Sequence, residues 1–231
     1  MRIFPRVAKG LFILVLPFLL LSVSIATAVN SLWLYEYGFQ KFQVSHTAGL
    51  PPGELEKAAR GIISYFNSGE EYINVTVIKE GKPLVLFNQR EVEHLKDVKS
   101  LIELDYRILL VALVYALMYA GASLVWRKPR YWRELAGGLV GGGSLTIALM
   151  LTVGLMALAN FDQFFLQFHL LSFANDLWQL DPTRDYLIML FPGGFWQDAT
   201  LFIVVATAAG AAVLGATGWM YLKSARSALP G

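Results

Sequence analysis

Four long apolar runs, none of which contains a charged residue, constrain this chain more than any other feature. An α-helix needs about 20 residues to cross a bilayer, and each run is about that long or longer. Only 16% of the 231 residues are charged, too few to cover a water-soluble domain of this size. The sequence therefore predicts a mainly α-helical integral membrane protein with four transmembrane helices. These are residues 10–29, 108–126, 135–159 and 199–222.

The first apolar run has a second interpretation. Basic residues precede it, and the small residues Ala26, Thr27 and Ala28 end it, which is the pattern of a secretory signal peptide. We interpret the run as a transmembrane helix that stays in the protein.

The distribution of charge predicts the orientation of the four helices. The two ends and the link between the second and third runs hold nine basic residues and one acidic residue, Glu134, a net charge of +8. Residues 30–107 and 160–198 together carry a net charge of −6. Lys and Arg are retained on the cytoplasmic side, so both termini are expected there and both long segments outside. The basic residues are Arg2, Arg6, Lys9, Arg127, Lys128, Arg130, Arg133, Lys223 and Arg226.

Residues 30–107 have the pattern of a small extracytoplasmic α/β cap. Apolar residues recur at helical spacing in ELEKAARGIISYFN, after Pro51 and Pro52. The runs EYINVTVI and PLVLFN flank KEGK, which predicts a hairpin. Residues 90–106 are predicted to be helical and to continue directly into the second transmembrane helix.

Residues 160–198 form the second outer segment, and it is rich in aromatic side chains. Phe, Tyr and Trp at such density are typical of the headgroup level of a bilayer. The charges in this segment are mostly acidic, which disfavours a helix that only adsorbs to anionic lipid. We therefore expect an interfacial helical loop that folds back onto the transmembrane helices.

His169 is the most prominent candidate for a functional residue in this loop. On a continuous helix it would share a face with Phe165, Ser172, Phe173 and Asp176. An imidazole beside an acidic partner would be a general base near neutral pH. The alternative is a structural histidine that bonds a backbone carbonyl among aromatic rings.

His94 is the second candidate, in the element HLKDVK. Asp97 follows one turn later and could orient the imidazole and raise its basicity. Taken alone, this pattern favours a solvated juxtamembrane helix over a functional site. His46 has no nearby carboxylate in sequence and is interpreted as a surface residue.

Several classes of function lack any supporting pattern. The chain has no cysteine, and its three histidines do not have the spacing of a metal-binding motif. The glycines at 137–143 lie in an apolar run, so they indicate helix packing and not a phosphate loop. No basic patch suggests nucleic-acid binding. We expect no metal and no cofactor.

Two elements together carry a family resemblance. HLKDVK precedes the second transmembrane run, and FH…F.NDLW.LDP..D.LI..FP..FW lies between the third and fourth. With the chain length and the four spans, these elements resemble the four-helix bacterial family of lipoprotein intramolecular transacylases, Lit. The resemblance covers nearly the whole chain.

The resemblance implies an acyl shift within one molecule. Its substrate would be a diacylglyceryl lipoprotein, whose sn-2 acyl chain moves to the α-amine of the N-terminal cysteine and leaves a lyso-form lipoprotein. The enzyme would be an acyltransferase in the bacterial cytoplasmic membrane, with its active site on the extracytoplasmic side. Its partners would be such lipoproteins and membrane lipid. The oligomeric state stays open, and a monomer is compatible with the sequence.

The resemblance also implies that His94 and His169 are catalytic. Our working assignment makes His169 the base toward the amine, while His94, oriented by Asp97, serves the leaving oxygen. The residues expected to support them, including side chains that could stabilise an oxyanion, are Asp97, Lys99, Asn175, Asp176 and Trp178.

Other functions remain open at this stage. A non-enzymatic membrane sensor or scaffold would bind a partner through its outer cap and would not need the histidines. A lipid hydrolase or an acyltransferase with another acceptor would release fatty acid or modify a different molecule. A transporter is disfavoured because no charged residue lies within the four apolar runs.

Overall fold

A computed structural model describes residues 3–125 and 129–227 of the chain. Four residues used above, Arg2, Trp126, Arg127 and Lys128, lie outside the described residues. The elements, in chain order, are α1 (Ile3–Asn30), α2 (Leu32–Lys41), α3 (Val44–Ala48), α4 (Pro52–Phe66), β1 (Thr76–Lys79), β2 (Lys82–Val85), α5 (Gln89–Val125), α6 (Pro129–Ala159), α7 (Phe161–Ser172), α8 (Tyr186–Leu190) and α9 (Gly193–Ser227).

The predicted transmembrane runs lie in four long helices: α1, α5, α6 and α9. Each is long and apolar enough to cross a bilayer. Helix α5 is the longest, and all of its charged side chains fall between residues 89 and 107. We therefore assign its membrane-spanning part to residues 108–125. The chain is a multi-pass membrane protein of mainly helical class, and its described residues include a small two-stranded sheet.

The chain divides into two compact units. Unit 1 comprises residues 1–25, 105–155 and 202–231, and unit 2 comprises residues 26–104 and 156–201. Unit 1 contains the greater part of the apolar helical segments. Unit 2 contains the hairpin, the short helices and all three histidines.

Close approach of backbones holds the helices of unit 1 together. A Cβ added at Gly218 of α9 would lie 2.5 Å from the carbonyl oxygen of Ala136 on α6. One added at Gly143 would lie 2.7 Å from the carbonyl oxygen of Ala211. Both glycines therefore permit contacts that any larger residue would prevent. This is the helix packing by small residues that the sequence indicated.

Polar contacts between helices supplement this packing in unit 1. The Thr207 hydroxyl donates to Ser24 Oγ over 2.9 Å, and both side chains are buried. The Tyr115 hydroxyl donates to the Ala8 carbonyl over 2.7 Å. In an apolar surrounding these groups have no water to bond, so such pairs add specificity to the packing of α1.

The β-hairpin of unit 2 is shorter than the sequence suggested. β1 pairs with β2 in antiparallel register from Thr76 opposite Val85 to Lys79 opposite Lys82. The two turn residues, Glu80 and Gly81, have positive φ angles of 51° and 77°. Positive φ at both central residues is what a two-residue type I′ turn requires. The expected hairpin is confirmed, although residues 71–75 do not belong to the strand.

Helix α5 begins at a capping arrangement around Asn88. The Asn88 side-chain oxygen accepts from the backbone N–H of Glu91 over 3.2 Å, and Glu91 Oε2 accepts from the Asn88 N–H over 2.8 Å. This is a reciprocal capping box. Glu91 is fully buried, and its second oxygen accepts from the Leu187 N–H of α8 over 2.6 Å. One carboxylate thus joins the start of α5 to α8.

Two glycines of α9 give opposite expectations for the same substitution. Gly218→Ala should lower the melting temperature in detergent, because its methyl group would meet the Ala136 carbonyl. Gly215→Ala should leave it unchanged or raise it, since a Cβ there meets nothing within 4 Å and alanine is the better helix former. Equal melting temperatures for the two variants would contradict the close approach at Gly218.

Replacing the buried carboxylate should destabilise unit 2. Glu91→Gln turns one accepting oxygen into an N–H donor that faces a backbone N–H, at a cost of about 1–3 kcal/mol in the free energy of unfolding. Glu93→Gln is the matched control, since Glu93 accepts only from the exposed Gln89 side chain among the contacts described. Thermal unfolding in detergent should separate them. If the two variants have the same melting temperature, the Glu91 carboxylate does not hold α5 to α8.

Candidate active site

His169 is fixed in orientation near the end of α7. The helix begins after Asn160, whose side-chain oxygen accepts from the Gln163 N–H, and ends at Ser172. His169 Nδ1 lies 2.8 Å from the Phe165 carbonyl oxygen. Because a carbonyl only accepts, this bond assigns the ring proton to Nδ1. The lone pair of the neutral ring is therefore on Nε2.

The pKa of His169 is lowered from its ordinary value. Burial is the main cause, since the side chain is only 6% exposed and the charged form would lose its hydration. The bond to the Phe165 carbonyl opposes this effect but is the smaller contribution. His169 is therefore neutral at pH 7 and available as a proton acceptor.

His94 lies on α5 with its ring beside that of His169. The two ring centroids are 6.3 Å apart, and the planes are within 28° of parallel. Burial is the main cause that lowers the pKa of His94 to about 4. A proton on His169 and the charge of Arg90 lower this pKa further, and Asp97 opposes them. His94 Nδ1 is buried and has no hydrogen-bond partner in the structure. The site thus contains two neutral imidazoles side by side.

Aromatic rings enclose the imidazole pair. The Phe173 ring contacts both histidines, at 5.1 Å from His94 and 5.6 Å from His169 between centroids. These rings exclude water from the imidazoles, which is the physical origin of the lowered pKa values. The other rings around His169 are Phe165 at 4.3 Å, Trp178 at 4.8 Å and Phe168 at 5.4 Å.

Asp97 does not hold His94 by a hydrogen bond, contrary to the expectation from its spacing. Its Oδ2 instead accepts from the Asn175 side chain over 2.8 Å. Asp97 acts on His94 only through its charge, which raises the pKa of the imidazole against the larger effect of burial. Asn175 and Asp97 together tie the segment after α7 to α5.

Asp176 is not on one helical face with His169. Helix α7 ends at Ser172, so the spacing argument fails beyond that residue. The Asp176 carboxylate accepts from Gln179 over 3.1 Å, and its backbone carbonyl accepts from the Arg90 guanidinium. Asp176 therefore shapes the loop and is not the acidic partner of the imidazole.

Lys99 and Trp178 have different surroundings. Lys99 is buried, donates to the Glu70 carbonyl over 2.6 Å and lies 4.4 Å from the centre of the Tyr65 ring. Its ammonium contacts neither imidazole, so the structure does not support its expected role at the oxyanion. Trp178, in contrast, lies directly against His169.

Sequence reasoning missed three side chains beneath this site. Arg90 precedes His94 by one helical turn, and Glu91 and Asp185 are fully or almost fully buried carboxylates. Asp185 accepts from the Asn88 side chain and from the Asp181 N–H. Only the capping pattern of Asn88 and Glu91 was visible in the sequence, as an Asn three residues before a Glu at the start of a helix.

The two imidazoles can both take part in proton transfer. Two neutral imidazoles can each accept one proton and donate one hydrogen bond. Within residues 3–125 and 129–227, no three His, Cys, Asp or Glu side chains are grouped as a metal site would require. The arrangement suits acid–base chemistry on a substrate with apolar groups, because the walls are aromatic.

Comparisons with known proteins agree with this fold. An uncharacterized protein of Aquifex aeolicus (strain VF5) is 26% identical over 197 residues, which cover 84% of this chain and 85% of that protein. The membrane integral lipoprotein intramolecular transacylase Lit from Bacillus cereus has a similar structure, with a TM-score of 0.84 and 19% identity. That comparison covers 99% of this chain and 100% of the other.

A second structure of the Bacillus cereus protein, a variant in which one histidine is replaced by alanine, gives a TM-score of 0.77 at 19% identity. It covers 97% of this chain and 96% of that one. The sequence model of the lipoprotein intramolecular transacylase Lit matches residues 10–196, which is most of the chain. The chain therefore belongs to the Lit family of lipoprotein intramolecular transacylases, which are membrane acyltransferases.

Proposed function

We propose that this chain moves the sn-2 acyl chain of a diacylglyceryl lipoprotein to the α-amine of its N-terminal cysteine. The observation that carries the proposal is the pair of buried, neutral imidazoles of His94 and His169, whose centroids are 6.3 Å apart within aromatic walls. Conversion of an ester to an amide within one molecule needs proton transfer and close apposition, and it needs no external acceptor.

The reaction is proposed to occur at the extracytoplasmic face of the bacterial cytoplasmic membrane. The support is the excess of Lys and Arg at both termini and in the link between α5 and α6, which favours a cytoplasmic location for those parts. Residues 30–107 and 160–198, which carry the imidazoles, would then lie outside. Mature lipoproteins and membrane lipid are the partners expected there.

His169 is the proposed base. The α-amine has a pKa of about 8, so about a tenth of it is neutral at pH 7 and can attack the ester carbonyl. As the carbon–nitrogen bond forms, the nitrogen becomes acidic and must lose a proton. Nε2 of His169 is the nitrogen left open by the bond from Nδ1 to the Phe165 carbonyl.

His94 is proposed to serve the leaving oxygen of the glyceryl group. The amine loses one proton and that oxygen gains one, so the enzyme carries a single proton from nitrogen to oxygen. Because both imidazoles start neutral, the proton delivered to oxygen is the one that His169 took from the amine. His94 donates a hydrogen bond to the departing oxygen and orients it toward this proton.

The aromatic walls are proposed to hold the reacting groups together. Amine and ester belong to one substrate, and fixing them in contact is worth several kcal/mol, up to roughly 7–11 kcal/mol in well-oriented systems. Phe165, Phe173 and Trp178 line the imidazoles with apolar surface that suits acyl chains. The same surface excludes water, which would otherwise hydrolyse the ester.

A mass-spectrometric assay tests this function. The purified protein in lipid nanodiscs is given a synthetic diacylglyceryl lipopeptide with a free N-terminal amine. The shift leaves the total mass unchanged, so fragment ions must show whether the chain is on glycerol or on nitrogen. His94→Ala and His169→Ala should each lower the rate of N-acyl formation by about 100- to 10,000-fold, the usual contribution of an acid–base group.

His46→Ala is the matched control for that assay. His46 is exposed and takes part in none of the ring contacts around the other two histidines, so its loss should leave the rate unchanged. Release of free fatty acid instead of N-acyl product would indicate a hydrolase. If the chain stays on glycerol with the wild-type protein, while a known transacylase works in the same nanodiscs, the proposed function is wrong.

The dependence of rate on pH should follow the substrate and not the histidines. Burial lowers the pKa of both imidazoles, that of His94 to about 4, so both are neutral at pH 7. We expect kcat/KM to rise with pH until the pH reaches the pKa of the substrate amine, about 8. The profile should show no inflection at the ordinary histidine pKa of about 6.5. An inflection at that value in the wild-type protein would contradict the neutral pair.

The same measurement separates the roles of the two histidines. In His169→Gln, hydroxide must replace the base, so the remaining rate should continue to rise above pH 8. In His94→Gln, the base is intact, so the lower rate should still level off near pH 8. Profiles of the same shape for the two variants would leave the assignment of base and leaving-group residue without support.

A further inference from the structure

Arg90 is a charged side chain near His94, and it has no part in the proton transfers proposed above. It lies on α5 one turn before His94, and its charge is close enough to lower the pKa of that imidazole. One end of the guanidinium donates to the Asp176 carbonyl in the loop that also carries Trp178. The long side chain is thus held between α5 and the loop that covers His169.

The Nε–H of Arg90 is a buried donor without an acceptor. Among the described residues, three buried side-chain nitrogen or oxygen atoms lack a partner, and two of them are Arg90 Nε and His94 Nδ1. These two belong to residues one helical turn apart on α5. Buried polar groups are almost always paired, so an unpaired donor beside a reactive site indicates a place for an acceptor from the substrate.

We propose that Arg90 receives the negative oxygen that forms on the acyl carbonyl during the transfer. This inference rests on the function proposed above. When the amine nitrogen attacks, the carbon–nitrogen bond forms and the electron pair of the carbonyl moves to its oxygen. That oxygen accepts the Nε–H of Arg90. When the intermediate collapses, the pair returns, the bond to the glyceryl oxygen breaks, and that oxygen takes the proton from His169.

The chemistry of the guanidinium suits this task. It is always charged, so it can stabilise a negative oxygen at any pH at which the amine reacts. Two neutral imidazoles cannot supply that charge before they have accepted a proton. The bond to the Asp176 carbonyl fixes the guanidinium in advance, and a pre-oriented donor needs no reorganisation when charge develops.

Two of the other side chains expected at the oxyanion are engaged elsewhere. The Lys99 ammonium donates to the Glu70 carbonyl, and the Asn175 amide donates to Asp97. Arg90, in contrast, is a cation close to His94 that still has a buried donor without an acceptor. A role limited to holding the loop is the competing explanation, because Arg90 also contacts Asp176.

Two substitutions of Arg90 test the proposal. Arg90→Met removes charge and donors at similar length and should lower kcat by roughly 100- to 1,000-fold, the usual loss for one oxyanion donor, with little change in KM. Arg90→Lys keeps the charge without the fork of donors and should fall between Met and wild type. Arg60→Met is the control, since Arg60 is an exposed residue of α4 that pairs with Glu56.

Two non-reacting lipopeptides separate the oxyanion role from the loop role. One carries a phosphonate monoester, a charged tetrahedral group, in place of the sn-2 ester, and the other carries an uncharged sn-2 ether. Arg90→Met should bind the phosphonate more weakly by about the factor lost in kcat, because binding of an intermediate analogue tracks the stabilisation of the intermediate. Its affinity for the ether should stay the same, and isothermal titration in nanodiscs measures both.

Each contrary result has a distinct meaning. Equal weakening for both lipopeptides would show that Arg90 holds the loop or the substrate in general, and it would overturn the proposal. A kcat for Arg90→Met close to that of wild type would overturn it as well. If the wild-type protein forms no N-acyl product, the proposed function itself is wrong. The wild-type protein is therefore assayed before the variants.

Discussion

The candidate site depends on a buried carboxylate. Glu91 accepts N–H groups from the start of α5 and from α8 at the same time, so it sets the position of the helix turn that carries Arg90 and His94. Asp185 is also buried, and its two oxygens accept from the Asn88 side chain and from the Asp181 N–H. Both carboxylates have hydrogen-bond donors at both oxygens, which offsets the cost of taking them out of water.

Burial has opposite consequences for the two kinds of titratable group in unit 2. For Glu91 it raises the pKa, and the N–H groups around the carboxylate oppose that effect. For His94 and His169 burial lowers the pKa, and neither ring receives enough compensation to become charged at neutral pH. The same water-poor environment therefore contains a carboxylate held by N–H donors and two imidazoles that stay neutral. Their different hydrogen-bond partners account for the difference.

The sequence predicted the architecture better than it predicted the site. Uncharged runs are local and long, so the four spans, the continuous α5 and the hairpin could all be predicted from pattern alone. The pairing of His94 with His169 brings together residues far apart in the chain, and spacing along a single helix cannot predict such a contact. Asp176 is not a partner of the imidazoles because α7 ends at Ser172. Asp97 lies on α5 and accepts from Asn175 of the following loop instead of from His94.

The loop after α7 is fastened to α5 at two points on either side of His94. Asn175 bonds Asp97 and Asp176 bonds Arg90, so two neighbouring loop residues reach side chains two helical turns apart. Exposing the imidazole by lifting this loop means breaking both bonds, each worth at most about 1.5–3 kcal/mol because a charged group takes part and both bonds are exposed to solvent. Such a cost keeps the closed state dominant and still allows frequent opening. Any step that needs this loop to be lifted can then occur no faster than the two bonds break.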